Sequence, residues 1–136
     1  MYLELAEVAM SSKKTRYITT DLDIFSSHDL SALAAFLQDR TCILHCGWRG
    51  EDLFHLCLEP QAEDSTVEAD LACLLDATEQ LPEPLMELWH SASEVDFNLG
   101  IETGDCHGHN TKVPAHLLQR ITKRGGTLSI TTYPAE

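Results

Sequence analysis

The sequence predicts an α+β fold: a single layered domain in which helices cover one face of a mainly antiparallel sheet. Apolar residues recur with period two in several short segments and with helical spacing between them. The chain has 136 residues, of which 43% are hydrophobic, and that size suits one domain with its own core, spanning residues 1–136. The predicted order is βαββααβαβ, which favours a split βαβ arrangement related to the ferredoxin-like fold.

The first predicted unit is a strand followed by a helix. In "YITTDLDIF", Ile18, Leu22 and Ile24 share one face with Thr20, as in a half-buried strand. "SSHDLSALAAFLQ" then places apolar residues at i, i+3, i+4 and i+7, so this helix should cover the sheet. The N-terminal "YLELAEVA" is predicted as a further strand or edge.

"TCILHCGW" and "DLFHLCLE", joined by "RGE", predict a hairpin. Their even-numbered apolar residues should all face the helices, which requires paired residue numbers with an even sum. A turn centred on Gly50 would set His45 opposite His55 on the other face. Two imidazoles there can sense pH, share a metal or be ordinary half-exposed strand residues, and no third ligand of suitable spacing is evident.

The second half continues the pattern. A capping box, Ser65 with Glu68, begins a helix, and Pro82 interrupts it before a short second helix. "EVDFNLGIE" is a strand, Pro114 starts the last helix, and "TLSITTY" closes the sheet. The side chains expected to face the helices are Cys42, Leu44, Phe54, Leu56, Leu58, Phe97, Leu99, Ile101, Leu128 and Ile130.

Charge limits the choice of partners. Against 22 acidic residues stand 9 basic ones, for a net charge of -13. Such a chain repels phosphate backbones and anionic membranes and attracts basic surfaces, so we expect neither nucleic acid nor a membrane as a partner. The sequence shows no export signal and no long apolar span, and its five cysteines suit reduced thiols, which predicts a cytoplasmic protein.

The stretch "GDCHGHNT" brings Cys106, His107 and His109 together before the last helix. Zinc, a Cys-His nucleophile pair and an ordinary turn are the alternatives. Three ligands within four residues crowd a tetrahedral ion, and side chains adjacent in sequence diverge, so we expect a polar loop without metal or cofactor. The chain also lacks the common hydrolase, zinc-protease and phosphate-loop motifs, so we expect no enzyme.

Three segments carry a resemblance: "LDIFSSHDLSALAAFL", "LPEPLMELWHSASEVDFNLGI" and "VPAHLLQRITKRGGTLSITTYP". In order and spacing they resemble a family of small, uncharacterised bacterial α+β proteins, a domain of unknown function. In that family a basic residue commonly precedes the central strand, whereas this chain has Ser93-Glu94-Val95. Small acidic proteins of this type resemble the immunity proteins of bacterial toxin systems, which neutralise a toxin by binding it.

The resemblance and the charge together imply an immunity protein that neutralises a cognate bacterial toxin with a basic surface, such as a nuclease, by direct binding. The alternative is a small metabolite-binding protein or enzyme that uses the histidine- and cysteine-rich surface. The toxin's identity and activity, the surface that binds it and the oligomeric state stay open. The predicted partner-binding residues are Glu51, Asp52, Glu59, Glu63, Asp64, Glu68 and Asp105.

Overall fold

The computed structural model describes residues 14–63, 65–105 and 108–135, and within these ranges it contains five strands and four helices. Their order is the predicted βαββααβαβ. The N-terminal segment, Asp64 and the Cys106-His107 pair lie outside the described residues. In chain order the elements are β1 Arg16–Ser26, α1 Ser31–Leu37, β2 Thr41–Trp48, β3 Phe54–Pro60, α2 Val67–Glu79, α3 Glu83–His90, β4 Glu94–Thr103, α4 Ala115–Lys123 and β5 Thr127–Pro134.

The strands form one sheet in the order β2-β3-β1-β4-β5. Every neighbouring pair is antiparallel except β4 and β5, which are parallel and are connected through α4. β3 lies between β1 and β2, the two strands that α1 connects, and this is the split βαβ arrangement. The predicted α+β fold with a mainly antiparallel sheet is therefore confirmed.

The helices cover one face of this sheet, and the strands alternate accordingly. Leu22 and Ile24 of β1 are fully buried under the helices, whereas Asp21 and Asp23 point to the opposite face and stay partly exposed. Since neighbouring strands repeat this alternation, the buried rows merge into one hydrophobic cluster. The cluster includes Leu56, Leu58, Phe97 and Leu99 from the sheet and Leu33, Leu71, Leu74, Trp89 and Ile121 from the helices.

Local signals set the helix ends. α2 begins after Thr66, whose side chain accepts a hydrogen bond from the backbone N–H of Ala69 at 3.1 Å, one residue beyond the predicted start. Pro82 and Pro114 precede α3 and α4, where a missing N–H costs nothing. Gly125, with φ of 72°, follows α4 in the left-handed conformation. No helix within the described ranges combines the length and apolar character needed to cross a membrane.

The core prediction is wrong for the first half of β2. Leu44 is an extra residue in the pairing of β2 with β3, so the register shifts by one at this bulge. Before the bulge, Ile43 pairs with Leu58 on the helix side, which turns Cys42 to the opposite face. Leu44 itself is 51% exposed. After the bulge, Cys46 returns to the helix side as predicted, but it lies exposed at the sheet edge.

The core prediction is also wrong for Ile130. The register pairs it with Leu99 on the helix side, yet 59% of its surface stays exposed. β5 is an edge strand, and only its first part is covered, where Leu128 packs against the core. The other residues predicted to face the helices, in β3 and β4, are buried: Phe54, Leu56, Leu58, Phe97, Leu99 and Ile101.

Candidate functional site

The face of the sheet opposite the helices, which we call the open face, carries carboxylates on three adjacent strands. Asp23 of β1 lies opposite Cys57 of β3 on one side and opposite Asp96 of β4 on the other. Two residues before Asp23 on β1, Asp21 lies close enough to Glu59 of β3 for the charge of Glu59 to act on it. These like charges lie close together on a face that no described helix covers.

Asp21 shows the effect of this crowding. Burial, the charges of Glu59 and Asp23, and a hydrogen bond to Glu59 raise the pKa of Asp21 to about 6. Its Oδ1 is buried and receives no hydrogen bond from any described donor. Two carboxyl groups can share a hydrogen bond only when one of them holds a proton. Asp21 therefore holds a proton more readily than an ordinary aspartate.

Asp96 is stabilised by its neighbours on β5. It accepts hydrogen bonds from Thr127 Oγ1 at 2.6 Å and from Ser129 Oγ at 2.7 Å. Only 9% of the residue is exposed, so these bonds replace the water that an open carboxylate would bind. On the open face, Asp96 thus fastens the edge strand to the sheet.

Three potential metal ligands, Asp23, His55 and Cys57, form a compact group that we call the face cluster. Their donor atoms lie within 4.8 Å of one another. His55 Nε2 is 2.7 Å from Asp23 Oδ1, and Arg49 Nε donates to His55 Nδ1 at 3.1 Å. Because Nδ1 accepts that bond, the ring proton lies on Nε2, which donates to Asp23. The Phe25 ring stacks on His55 with centroids 4.3 Å apart and fixes its orientation.

His45 borders the face cluster. The predicted closeness of the two histidines is confirmed, since the rings of His45 and His55 are 5.1 Å apart. The predicted register is wrong, because the bulge sets His45 opposite Cys57 and His55 opposite Gly47. Burial, then the charges of Arg49 and His55, lower the pKa of His45, which favours the neutral ring. Its Nε2 is buried and has no hydrogen-bond partner among the described residues.

The Cys57 thiol is not set up as a nucleophile. Burial, a hydrogen bond to Asp23 and the surrounding carboxylates raise its pKa far above the ordinary value. A nucleophilic cysteine needs the opposite, an environment that stabilises the thiolate. Without a cation beside it, Cys57 stays a thiol at neutral pH.

The predicted partner-binding residues do not form one patch. Glu59 and Glu63 line the same groove, about 360 Å³ in volume, beside Arg16 and Cys42. Glu51 and Asp52 lie exposed in the turn between β2 and β3, at the other end of β3, and Glu68 lies exposed on α2 in the helix layer. Asp105 follows β4 and is exposed, and Asp64 lies outside the described residues.

The described part of the "GDCHGHNT" loop is irregular backbone beside a second groove, about 420 Å³ in volume. Gly104 N–H donates to Thr15 Oγ1 at 2.8 Å, which ties the loop to the start of β1. Residues 108–111 line the groove together with Ile101 and Ile130. Cys106 and His107 lie outside the described residues, so the predicted absence of metal in this loop stays a prediction.

Sequence reasoning missed Asp23 and Cys57 as neighbours of the two histidines. The available signal was the alternation, because the buried residues of β1 and β3 leave Asp21, Asp23, His55 and Cys57 on one opposite face. What the alternation lacked was the strand order that sets β1 beside β3. Comparisons of this chain with protein families, with curated proteins and with solved structures find no match.

Proposed function

We propose that this protein is a non-enzymatic inhibitor, an immunity protein that binds a cognate bacterial toxin with a basic surface through the open face. The observation that carries the proposal is the alignment of carboxylates on three adjacent strands, with Asp21, Asp23 and Glu59 at its centre. Their mutual repulsion is a cost that cations from a partner would remove.

Net charge supports the same assignment. At -13 the whole chain attracts cationic surfaces and repels phosphate backbones, so encounter with a basic protein is favoured and encounter with nucleic acid is not. A nuclease, which needs a positive cleft to hold its substrate, fits this charge. Four cysteines of the described ranges, Cys42, Cys46, Cys57 and Cys73, are free thiols, as expected for a protein that acts in the cytoplasm.

The hairpin end of the sheet adds apolar contact area. Trp48 is 46% exposed and Leu53 is 40% exposed, next to the predicted contact residues Glu51 and Asp52. Interfaces depend on a few aromatic anchors surrounded by polar residues, and tryptophan is enriched among such anchors. The Trp48 ring packs edge-on against Phe54 and so lies on the helix side of the edge strand β2. The proposed contact surface therefore extends from Glu59 and Glu63, along the open face, to this turn and round the sheet edge to Trp48.

The second candidate is a metabolite-binding protein or small enzyme, and the face cluster is the observation that favours it. The two classes differ in what they bind. Affinity capture from the native host, followed by mass spectrometry, should recover one basic protein for the inhibitor and none for the alternative. The recovered protein counts as the partner only if its binding weakens with added salt and with the variants below.

The decisive variant is Glu59→Lys with Glu63→Lys, because both residues line one groove beside the open face. The matched control is Glu83→Lys with Glu87→Lys, which changes net charge equally at exposed positions of α3 in the helix layer. We expect the first pair to slow association with the partner roughly tenfold at low salt and to reduce its salt dependence, because charges beside an interface act on the on-rate.

Equal slowing by both pairs would mean that only net charge matters, and unchanged kinetics in the first pair would remove the interface from this groove. Glu51→Lys with Asp52→Lys then tests the hairpin turn, and Glu68→Lys tests the helix layer. If no protein partner is recovered at all, the metabolite-binding class replaces the inhibitor.

A further inference from the structure

The face cluster has the composition of a zinc site. Asp23, His55 and Cys57 supply one carboxylate oxygen, one imidazole nitrogen and one sulfur, with all three donor atoms within 4.8 Å of one another. Ligand atoms around a tetrahedral zinc ion stand about 3.4 Å apart, as follows from bond lengths of about 2.0–2.3 Å. Closing the cluster onto an ion therefore needs only small side-chain movements on strands whose pairing already fixes the backbone.

His45 can supply the fourth ligand. Its Nε2 is buried and lacks a hydrogen-bond partner among the described residues, which is costly for a polar atom unless it has a further use. A Cβ on Gly47 would lie 3.8 Å from this nitrogen, so the ring lies over Gly47, the residue that pairs with His55. The rings of His45 and His55 are 5.1 Å apart, so this nitrogen lies near the other donors but outside their 4.8 Å group, and the His45 ring must turn towards the ion to bind it.

We propose that the face cluster, together with His45, binds a Zn²⁺ ion on the open face. The assignment is independent of the proposed inhibitor function, because a structural ion would stabilise the sheet whether or not a partner binds. A thiolate and a carboxylate neutralise the ion's charge, and the neighbouring Asp21 and Glu59 add a field that attracts cations. No described helix covers this face, which leaves the ion a path of entry.

Binding moves two protons and one side chain. The thiol proton of Cys57 leaves to solvent as the Zn–S bond forms. The His55 proton passes from Nε2 to Nδ1, so that Nε2 can bind the ion. Nδ1 then becomes a donor and can no longer accept from Arg49, whose exposed side chain must turn away. Arg49 is therefore a competitor of the metal at this site, both by its charge and by its hydrogen bond.

The test uses the full-length chain without a histidine tag, treated with chelator and then titrated with Zn²⁺ against a chromophoric competitor. We expect one ion per chain. Titration with Co²⁺ should give the visible bands of a tetrahedral site and a thiolate-to-cobalt charge-transfer band. Cys57→Ser should abolish the charge-transfer band and weaken Zn²⁺ binding more than about 100-fold, beyond the effect of residues that only support a ligand.

Two variants serve as controls, and a third tests the role of Arg49. Cys42→Ser changes a thiol on the same face outside the cluster and should leave both readouts unchanged. His109→Ala should also leave them unchanged, because it lies in the "GDCHGHNT" loop. Arg49→Gln should tighten Zn²⁺ binding several-fold, a result that a merely structural role for Arg49 does not produce.

Absence of stoichiometric Zn²⁺ binding would overturn the proposal. Loss of the ion in the His109 variant, or its retention in the Cys57 variant, would assign the site elsewhere and overturn it equally. Circular dichroism shows whether Cys57→Ser folds. If it does not, the charge-transfer band is measured in the unaltered chain and in Cys42→Ser, which decides whether a thiolate other than Cys42 binds the ion. A missing band in the unaltered chain contradicts the assignment.

Discussion

The two faces of the sheet are built from the same strands and yet carry different kinds of residue. On the helix side, Leu22, Ile24 and Phe97 are completely buried and apolar. On the open face, His55, Cys57 and Asp96 are almost as buried, at 8%, 8% and 9% exposure, although all are polar and no described helix lies over them. The first face stabilises the fold, whereas the second buries polar groups at a cost in stability. Buried polar groups of this kind are typical of functional surfaces.

The largest difference should appear when one side chain is removed from each face. Phe97→Ala leaves a cavity beneath the helices and should lower the free energy of unfolding by about 3–5 kcal/mol. Its neighbour Asn98 points to the open face, where it accepts one hydrogen bond from Thr131 at 2.9 Å, so Asn98→Ala should cost only about 1 kcal/mol. Urea denaturation of both variants measures the contrast, and equal losses would refute the division of labour between the faces.

A smaller loss is expected where the open face does stabilise the fold. Asp96→Ala removes the acceptor of two hydroxyl groups that hold β5, at a cost of about 1.5–3 kcal/mol. Asp96→Asn keeps one acceptor oxygen and should therefore lose less stability than Asp96→Ala. Amide hydrogen exchange should show faster exchange in β5 than in β1 or β3, and uniform acceleration throughout the sheet would contradict the local role of Asp96.

The smallest expected effect is a gain in stability from Asp21→Asn, and this gain depends on pH. The pKa of Asp21 is raised from its ordinary 3.8 to about 6, mainly by burial and then by Glu59 and Asp23. The folded state thus holds this proton more tightly than the unfolded chain, and stability falls as pH rises from about 4 through about 6. Asp21→Asn removes this penalty. Because Asp21 is only partly buried, screening leaves a gain of about 1–2 kcal/mol at about pH 8 and almost none at about pH 4.

The control for Asp21 is Glu63→Gln, which removes the same charge from an exposed loop position. Chemical denaturation of both variants in chelator-treated samples, at the low and at the high pH, measures the change in stability that each substitution causes. Two results would show that the neighbouring carboxylates do not affect Asp21. One is a gain from Asp21→Asn that is the same at low and high pH, and the other is an equal gain from Glu63→Gln.

Alternation in the sequence was enough to assign the faces of β3, of β4 and of β1 from Thr20 onward. The prediction for Ile18 was wrong, because a bulge between Tyr17 and Thr19 turns Ile18 away from the helix side and leaves it 36% exposed. Each of these central strands has a regular apolar row, such as Phe54, Leu56 and Leu58, and a helix layer to bury it. The face assignment of β2 was wrong before the bulge, because the extra residue Leu44 inverts the alternation there. The composition of the segment does not reveal one extra residue. The burial predicted for Ile130 of β5 was wrong, because the exposure of an edge strand depends on how far the helices extend over it. The local sequence pattern does not show that extent.

The candidate site was only half predictable. His45 and His55 came together as expected from the hairpin, since the residues of a hairpin are close in sequence. Cys57 lies two residues from His55 on β3 and follows from the same alternation. Asp23 depends on the pairing of β1 with β3, because it reaches His55 from 32 residues away in the chain. The acidic residues chosen from loops were judged by charge alone, and charge does not specify which of them share a face. Glu59 and Glu63 do share a groove, whereas Glu68 lies on a helix.

Chemical-shift mapping tests most directly whether the open face is the surface that binds the partner. The isotope-labelled chain would be titrated with the captured basic partner while backbone amides are followed by NMR. We expect the largest perturbations on Thr19–Phe25, on β3 and on the turn between β2 and β3, with α2, α3 and α4 little changed. Perturbations concentrated on those helices, with the open face unaffected, would contradict this expectation.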